Sequence, residues 1–259
     1  MSDDDTLLTR IERGFTQIKD IAVLSQRTVV SGFTKGINFG DFVQQVELIG
    51  MKSTAIAVLT AIFSSMVMTV QFGSQLQRFG AKAYVGTIVS LSLVRELGPV
   101  LTALMVGGRV GAGIAAELGS MAVTEQIDAI RSMGADPIRK LVVPRVLASV
   151  MIMPLLTAMS NVLGVLGAMM VAFLVNDVNP ILFLSATFQS VDITDLVGGL
   201  MKTLFFGFFI SVIACQRGLT TTGGTEGVGR ATTETVVMTS VVTLISDFIL
   251  TSILLQFGL

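Results

Sequence analysis

The chain has 259 residues and a net charge of −1, so its overall charge does not predict a nucleic-acid-binding surface. Hydrophobic residues make up 52% of the sequence and charged residues only 14%, whereas soluble domains contain about 25% charged residues. The mean hydropathy is +0.80, and these values together indicate a polytopic membrane protein. The absence of histidine and the single cysteine, Cys215, exclude an internal disulfide, a cysteine-based metal cluster and a histidine-containing catalytic triad.

The first 50 residues contain no run of apolar residues long enough to cross a bilayer. The acidic start MSDDDTLL has no apolar core of the kind found in signal peptides, so we expect the first spanning helix to direct membrane insertion. From Leu7 to Val23, apolar residues recur at helical spacing with charged residues between them. This pattern predicts an amphipathic helix lying in the membrane interface, and a helix packed on a soluble partner is the alternative.

Five apolar segments are long enough to span the membrane within a single domain that covers residues 1–259. We predict spans near residues 53–73, 85–108, 146–174, 196–216 and 234–257. Most of the 17 basic residues lie before the first span or in the second-to-third and fourth-to-fifth loops, which predicts a cytoplasmic N-terminus and a C-terminus on the outer side. We also expect NPILFLSATF to form a short helix at the outer interface, and the glycine-rich GTEGVGRATT to be a flexible turn.

The second-to-third loop contains VTEQIDAIRSMGADP, which carries the signals of a short helix. Thr124 is the predicted N-cap, Glu125 suits the positive N-terminal end, and Gly134 is the predicted stop. The predicted apolar edge consists of Ile127, Ile130 and Met133. A helix of this kind either seats in a groove of another protein or covers the ends of the spans, and the pattern alone favours neither.

Four charged residues fall inside predicted spans: Arg95, Glu96, Lys202 and Asp247. A charge near the bilayer midplane costs about 2.5–3.5 kcal/mol on insertion scales, so each requires a compensating partner. Pro99 frees the backbone carbonyl of residue 95 and predicts a locally open helix beside the charges. Since the four charges sum to zero, we hypothesise that they meet around a cavity between helices. The alternatives are ion pairs that only hold helices together and, for Lys202, a side chain that reaches the outer surface.

Four blocks of sequence resemble the MlaE family of permeases. They are RELGPVLTALMVGGRVGAGIAAELGSM, TEQIDAIRSMGADPIRKLVVPRVLA, GVGRATTETVV and DFILT, and the resemblance runs from roughly Asp41 to the C-terminus. These permeases belong to ABC-type phospholipid transporters that work with MCE-domain proteins. The chain has no G-x-x-x-x-G-K-[ST] motif, so it does not bind ATP through that loop.

The resemblance implies a homodimer in the bacterial inner membrane that moves phospholipid and maintains outer-membrane lipid asymmetry. A cytoplasmic ATPase would bind ATP and Mg²⁺, a periplasmic ring of six MCE subunits would sit above the dimer, and a STAS-domain subunit would often join them. This chain itself would hold no cofactor, no metal and no catalytic residue. An ion-coupled secondary carrier that uses Glu96 and Asp247, and a scaffold without transport activity, are the alternative functions.

The resemblance also implies roles for individual residues. Charges important to transport would be Arg95, Glu96, Lys202, Arg230 and Asp247. The mouth of the lipid cavity would be formed by residues 68–79, with Met68, Leu76 and Phe79 among those that line it. Coupling to the ATPase would use Glu117, Thr124, Glu125, Gln126, Ile127, Asp128, Ile130, Arg131 and Met133.

Overall fold

The computed structural model describes residues 7–34 and 39–256; the side chains of 7–15, 17, 18, 33 and 34 lie outside this description. The described residues form helices joined by short connections, which confirms the predicted all-α fold. The helices are α1 (Leu7–Thr34), α2 (Phe39–Arg78), α3 (Val85–Ser92), α4 (Gly98–Val123), α5 (Gln126–Ser132), α6 (Val143–Asn176), α7 (Pro180–Ser190), α8 (Ile193–Leu219) and α9 (Gly224–Gln256). A 3₁₀ turn (Lys82–Tyr84) precedes α3, and π-helical turns precede α4 (Leu93–Leu97) and α6 (Ile138–Val142).

Five continuous helical stretches are long and apolar enough to cross a membrane, as predicted from the sequence. They are Phe39–Arg78, Lys82–Val123, Ile138–Asn176, Ile193–Leu219 and Gly224–Gln256. Short α5 joins the second stretch to the third, and α7 joins the third to the fourth. Since α6 alone has 34 residues and would be about 50 Å long, these two connections lie at opposite ends of the bundle. We call them the α5 end and the α7 end.

The helices extend beyond the predicted apolar spans into polar sequence. Helix α2 begins at Phe39, ahead of the span predicted near 53–73, and the second stretch continues to Val123, past the span predicted near 85–108. The segment GTEGVGRATT is the start of α9 and not a flexible turn. Gly227 within it packs so closely on the Thr222 carbonyl that an added Cβ would collide with it, so this glycine permits a close approach of backbones.

The two N-terminal helices differ in how they join the bundle. Helix α1 confirms the predicted helix and extends it to Thr34. It buries Leu24 and Thr28 against the rest of the protein, whereas its predicted place in the membrane interface stays a prediction. Helix α2 packs along α6 through small residues at every fourth position, namely Ser53, Ala57, Ala61, Ser65, Thr69 and Gly73. Small residues let helix backbones approach closely in membrane proteins, and Ser65 Oγ donates a hydrogen bond to the Gly164 carbonyl at 2.6 Å.

The predicted outer segment NPILFLSATF forms α7, whose start is capped by the Asn179 side chain accepting from the Ile181 amide at 2.9 Å. Helix α7 packs on α3 through a hydrogen bond between the Ser90 and Thr187 hydroxyls, 2.8 Å apart. An added Cβ on Gly86 would lie 2.9 Å from the Phe183 carbonyl, so a glycine is needed at this contact. These contacts fix the α7 end of α3, directly before the π turn that carries Arg95 and Glu96.

Candidate functional site: a buried ionic cluster beside an apolar groove

Lys202 is the centre of an ionic cluster that joins three of the long helices. Its side chain is only 3% exposed. The alternative that Lys202 reaches the outer surface is therefore wrong. The ammonium donates to Glu96 Oε2 and to Thr251 Oγ1, each at 2.6 Å, and Asp247 Oδ1 lies 3.4 Å away. The structure therefore brings Glu96, Lys202 and Asp247 together from three separate parts of the chain.

The π turn Leu93–Leu97 supplies a third acceptor for this lysine. Pro99 has no amide hydrogen, so the carbonyl four residues earlier lacks its usual α-helical donor. The carbonyl of Arg95 instead accepts from Lys202 Nζ at 3.2 Å. The opening predicted beside the charges is thus present, and a lysine from α8 occupies it.

Arg95 pairs with a residue that the sequence reasoning missed. Its Nε lies 3.2 Å from Asp195 Oδ1, and the Asp195 side chain is only 12% exposed. Asp195 also caps the start of α8, where its other oxygen accepts from the Asp192 amide at 3.0 Å. An acidic residue in the first turn of an apolar helix was a visible signal, but capping alone explains that pattern. With Asp195 included, the cluster contains two cations and three carboxylates.

The space enclosed by the cluster is small. The cavity lined by Arg95, Glu96, Asp195, Lys202 and Thr251 has a volume of about 20 Å³, which is room for about one water molecule. The charged side chains therefore do surround a cavity between helices, but the cavity is small. In this conformation the charged side chains pair with one another and leave no room for a lipid headgroup among them.

A larger apolar groove lies on the other side of the same π turn. It has a volume of about 520 Å³ and is lined by Phe63, Ser64, Val67, Met68, Gln71, Phe72 and Leu97. Of the three predicted cavity residues, only Met68 lines this groove. Leu76 packs against the cluster around Phe183 and Val85, and Phe79 is 84% exposed just beyond the end of α2. The groove therefore lies along residues 63–72 of α2, and the roles of Leu76 and Phe79 at a cavity mouth stay predictions.

The predicted coupling helix is present as α5, with a different start. Thr124 is not its N-cap, because its hydroxyl donates back to the Ser120 carbonyl of α4 at 2.7 Å. Glu125 takes a left-handed conformation (φ 60°) and Gln126 begins the helix. Gly134, with φ 77°, follows the helix end as predicted.

Helix α5 has a buried face and an exposed face. Ile127 and Ile130 are buried in the main core, so they anchor the helix and do not offer an apolar edge. Met133 is 74% exposed, and Asp128 and Arg131 form an exposed ion pair at 2.8 Å. A protein bound at this end would therefore meet mixed charge and one methionine.

Two further predicted residues lie away from the intramembrane cluster. Arg230 is 77% exposed near the start of α9 and lies 3.7 Å from Glu234, which also pairs with Arg217 at 3.1 Å. It is separated from Asp247 by about 25 Å of helix. Glu117 lies on α4 and pairs with Arg145 at 2.6 Å. Both residues lie toward the α5 end, where Thr221 of the α8–α9 connection contacts Gly119.

Five long apolar helices, with charged side chains paired between them, define a multi-pass α-helical membrane protein. Residues 42–253 match the family described as Permease MlaE. This match covers most of the chain, so the chain belongs to the MlaE permease family.

Relatives in other organisms carry corresponding descriptions. The chain is 41% identical to a probable ABC transporter permease protein of Rickettsia bellii over 236 residues, which cover 91% of each chain. It is 42% identical to a probable ABC transporter permease protein of Synechocystis over 220 residues, 85% of this chain and 84% of the relative. It is 40% identical over 229 residues to the chloroplastic protein TRIGALACTOSYLDIACYLGLYCEROL 1 of Arabidopsis thaliana, covering 88% of this chain and 65% of that one. These likenesses support a permease subunit rather than an enzyme.

Proposed function

We propose that this chain is the permease subunit of an ABC transporter that moves phospholipids between the bacterial inner membrane and a periplasmic MCE ring, and so maintains outer-membrane lipid asymmetry. The observation that carries the proposal is the π turn Leu93–Leu97. It contributes Leu97 to the apolar groove and Arg95 and Glu96 to the ionic cluster. A lipid with apolar chains and a charged headgroup is the class of molecule that needs both surfaces side by side.

The groove is suited to acyl chains. Its volume of about 520 Å³ lies within the range of roughly 300–1,000 Å³ for ordinary ligand pockets. A groove of this volume is too small for two full acyl chains. Phe63 and Val67 on its rim are 62% and 57% exposed. We infer that a second copy of the chain completes the groove, so that the permease works as a homodimer with the lipid between the two copies.

The charges of the cluster would act when the groove is occupied. Its two cations can pair with a lipid phosphate and its carboxylates with an amine, once their present ion pairs separate. Because the cluster contains one more carboxylate than cations, its internal ion pairs do not balance all of its charge. Transport would thus involve exchange of the ion pairs of Arg95 and Lys202 for headgroup contacts.

The energy for transport would come from a separate subunit. The sequence has no Walker A motif, so ATP and Mg²⁺ would be held by a cytoplasmic ATPase docked on α5, with a STAS-domain protein as a further partner. The permease names of the Rickettsia and Synechocystis relatives support an ATPase partner. The name of the Arabidopsis relative is built on that of a glycerolipid, which supports a lipid substrate. In this proposed arrangement the N-terminus and the α5 end would lie in the cytoplasm, and the α7 end and C-terminus in the periplasm.

Purification in mild detergent from the native host tests the proposal. We expect an ATPase, an MCE protein and extractable phospholipid to accompany the chain, and the reconstituted complex to move labelled phospholipid only with hydrolysable ATP and Mg²⁺. Recovery of neither an ATPase nor an MCE protein would overturn the proposal. So would transport of a solute down an ion gradient by the chain alone, without nucleotide.

A matched pair of substitutions tests the groove. Val67→Trp would narrow the groove, whereas Val162→Trp adds the same bulk on α6 at a similarly exposed position (57% against 62%). We expect the first to reduce phospholipid transport and the second to leave it near the wild-type rate, with both complexes assembled. Equal transport by the two variants would remove the groove from the lipid path.

A further inference from the structure

Arg145, at the start of α6, is a buried arginine that the ionic cluster does not include. In the sequence it counts only as one basic residue of a predicted loop, yet it is 4% exposed. Its Nη2 donates to Glu117 Oε1 at 2.6 Å and its Nη1 donates to the Leu141 carbonyl at 2.6 Å. Its Nε is buried without a hydrogen-bond partner.

The two partners of Arg145 lie on either side of α5. Glu117 belongs to α4, which leads into α5, and Leu141 belongs to the π turn Ile138–Val142 that follows α5. Arg145 therefore connects the helix that precedes α5 to the π turn that follows it. Ile127 and Ile130 of α5 are buried in the same hydrophobic core as Leu141, so α5 packs against the part of the protein that Arg145 connects.

Stability alone does not account for such an arginine. The desolvation of a buried arginine offsets most of its attraction to a carboxylate, and well-packed apolar residues often replace such charges without loss of stability. The buried Nε without a partner adds a further cost. Two short charge-assisted hydrogen bonds in different directions instead fix the geometry between the groups that they join.

The π turn is the place where a fixed geometry matters. π-helical turns are frequent at functional sites, and this one precedes Pro144, which cannot donate a backbone hydrogen bond. Without a restraint, the turn can bend and absorb a displacement of α5. The bond from Arg145 to the Leu141 carbonyl restrains the turn, and the bond to Glu117 ties it to α4.

We propose that Arg145 is a positioning residue that makes α4, α5 and the start of α6 move as one body when an ATPase displaces α5. Helix α4 begins at Gly98, immediately after the π turn that carries Arg95, Glu96 and Leu97. A displacement carried by α4 therefore reaches both the ionic cluster and the apolar groove. This inference rests on the proposed function, because it needs an ATPase docked on α5.

The test compares four variants of the reconstituted complex: Arg145→Met, Arg145→Lys, Glu117→Gln and Lys140→Met. The last removes a positive charge from an exposed position on the same π turn and serves as the control. For each we would measure the thermal unfolding midpoint, ATP hydrolysis and phospholipid moved per ATP. We expect Arg145→Met to keep ATPase binding and hydrolysis while phospholipid moved per ATP falls about tenfold, a size usual for coupling between sites. Arg145→Lys should restore part of the loss, Glu117→Gln should show an intermediate loss, and the control should match the wild type.

Two results would overturn the proposal. One is a loss of transport in Arg145→Met that is matched by an equal loss of hydrolysis or of ATPase binding, since that marks a purely structural role. The other is an unchanged yield per ATP in that variant. If Arg145→Met does not fold, Glu117→Gln decides, because Glu117 is half exposed (52%) and its replacement leaves the arginine in place. An unchanged yield per ATP in Glu117→Gln then overturns the proposal.

A readout without lipid separates this proposal from the proposed substrate. A Ser64→Cys substitution in the groove, with the native Cys215 fully buried, allows the rate of maleimide labelling to be followed with and without ATP. An ATP-dependent change that disappears in Arg145→Met supports the positioning role even if the wild-type complex moves no phospholipid. An ATP-dependent change that survives in Arg145→Met refutes it.

Discussion

Replacement of Lys202 by methionine isolates the energy of the ionic cluster. Methionine keeps the length and apolar stem of lysine but removes the ammonium that contacts Glu96, Thr251, Asp247 and the Arg95 carbonyl. Removing one partner of a buried ion pair costs about 3–5 kcal/mol, because the opposite charge is left uncompensated. Glu96 is still 39% exposed and can bind water, whereas Asp247 is 19% exposed. We therefore expect the lower end of that range, about 3 kcal/mol.

The assay is the thermal unfolding of the purified chain in detergent micelles. A loss of about 3 kcal/mol lowers the midpoint by roughly 6–12 °C at ~2–4 °C per kcal/mol, the scale for chains of this size. The double variant Lys202→Met/Asp247→Asn removes one charge of each sign and restores the wild-type balance, so we expect it to regain more than half of the loss. A midpoint for Lys202→Met within about 2 °C of the wild type would refute this reasoning, as that is under 1 kcal/mol.

Three further outcomes are expected. Gly98→Ala should destabilise the protein by about 1–3 kcal/mol, because the added Cβ collides with the Asn161 amide, whereas Gly113→Ala faces open space and should be neutral or slightly stabilising; equal unfolding midpoints would contradict this. Met133→Asp, on the exposed face of α5, should weaken co-purification of the ATPase without moving the midpoint, and undiminished co-purification would place the docking surface elsewhere. Pro99→Ala supplies an amide that competes with Lys202 for the Arg95 carbonyl, so phospholipid transport should fall while ATPase binding persists, and unchanged transport would separate the π turn from the activity.

The sequence by itself determined the class of fold and the main parts of the chain. Five spans, the α5 and α7 helices and the charges inside the spans all follow from properties of short segments, such as apolar run length and capping residues. These signals are local, so folding does not alter them. The missing Walker A motif is equally local, since that loop is contiguous in sequence.

The helix ends were less predictable, and α2 shows why. Hydropathy reports how a segment partitions into lipid, whereas helix formation depends on backbone hydrogen bonds and on packing. The segment from Phe39 to Lys52 mixes polar and apolar residues, so its hydropathy is too low for a span although its backbone continues the helix. The glycine-rich start of α9 was misread for a related reason, because packing had to reveal that Gly227 permits a close contact.

Only the tertiary structure decided the partners of the buried charges. The sequence indicated that Arg95, Glu96, Lys202 and Asp247 need compensation, but it could not show that Arg95 pairs with Asp195 or that Arg145 is buried between Glu117 and Leu141. Arg95, Arg145 and Lys202 are 28 or more residues away in sequence from their carboxylate partners. The two members of each pair lie on different helical segments. The packing of whole helices decides which helix faces contact each other. A pattern within one segment therefore cannot predict these contacts.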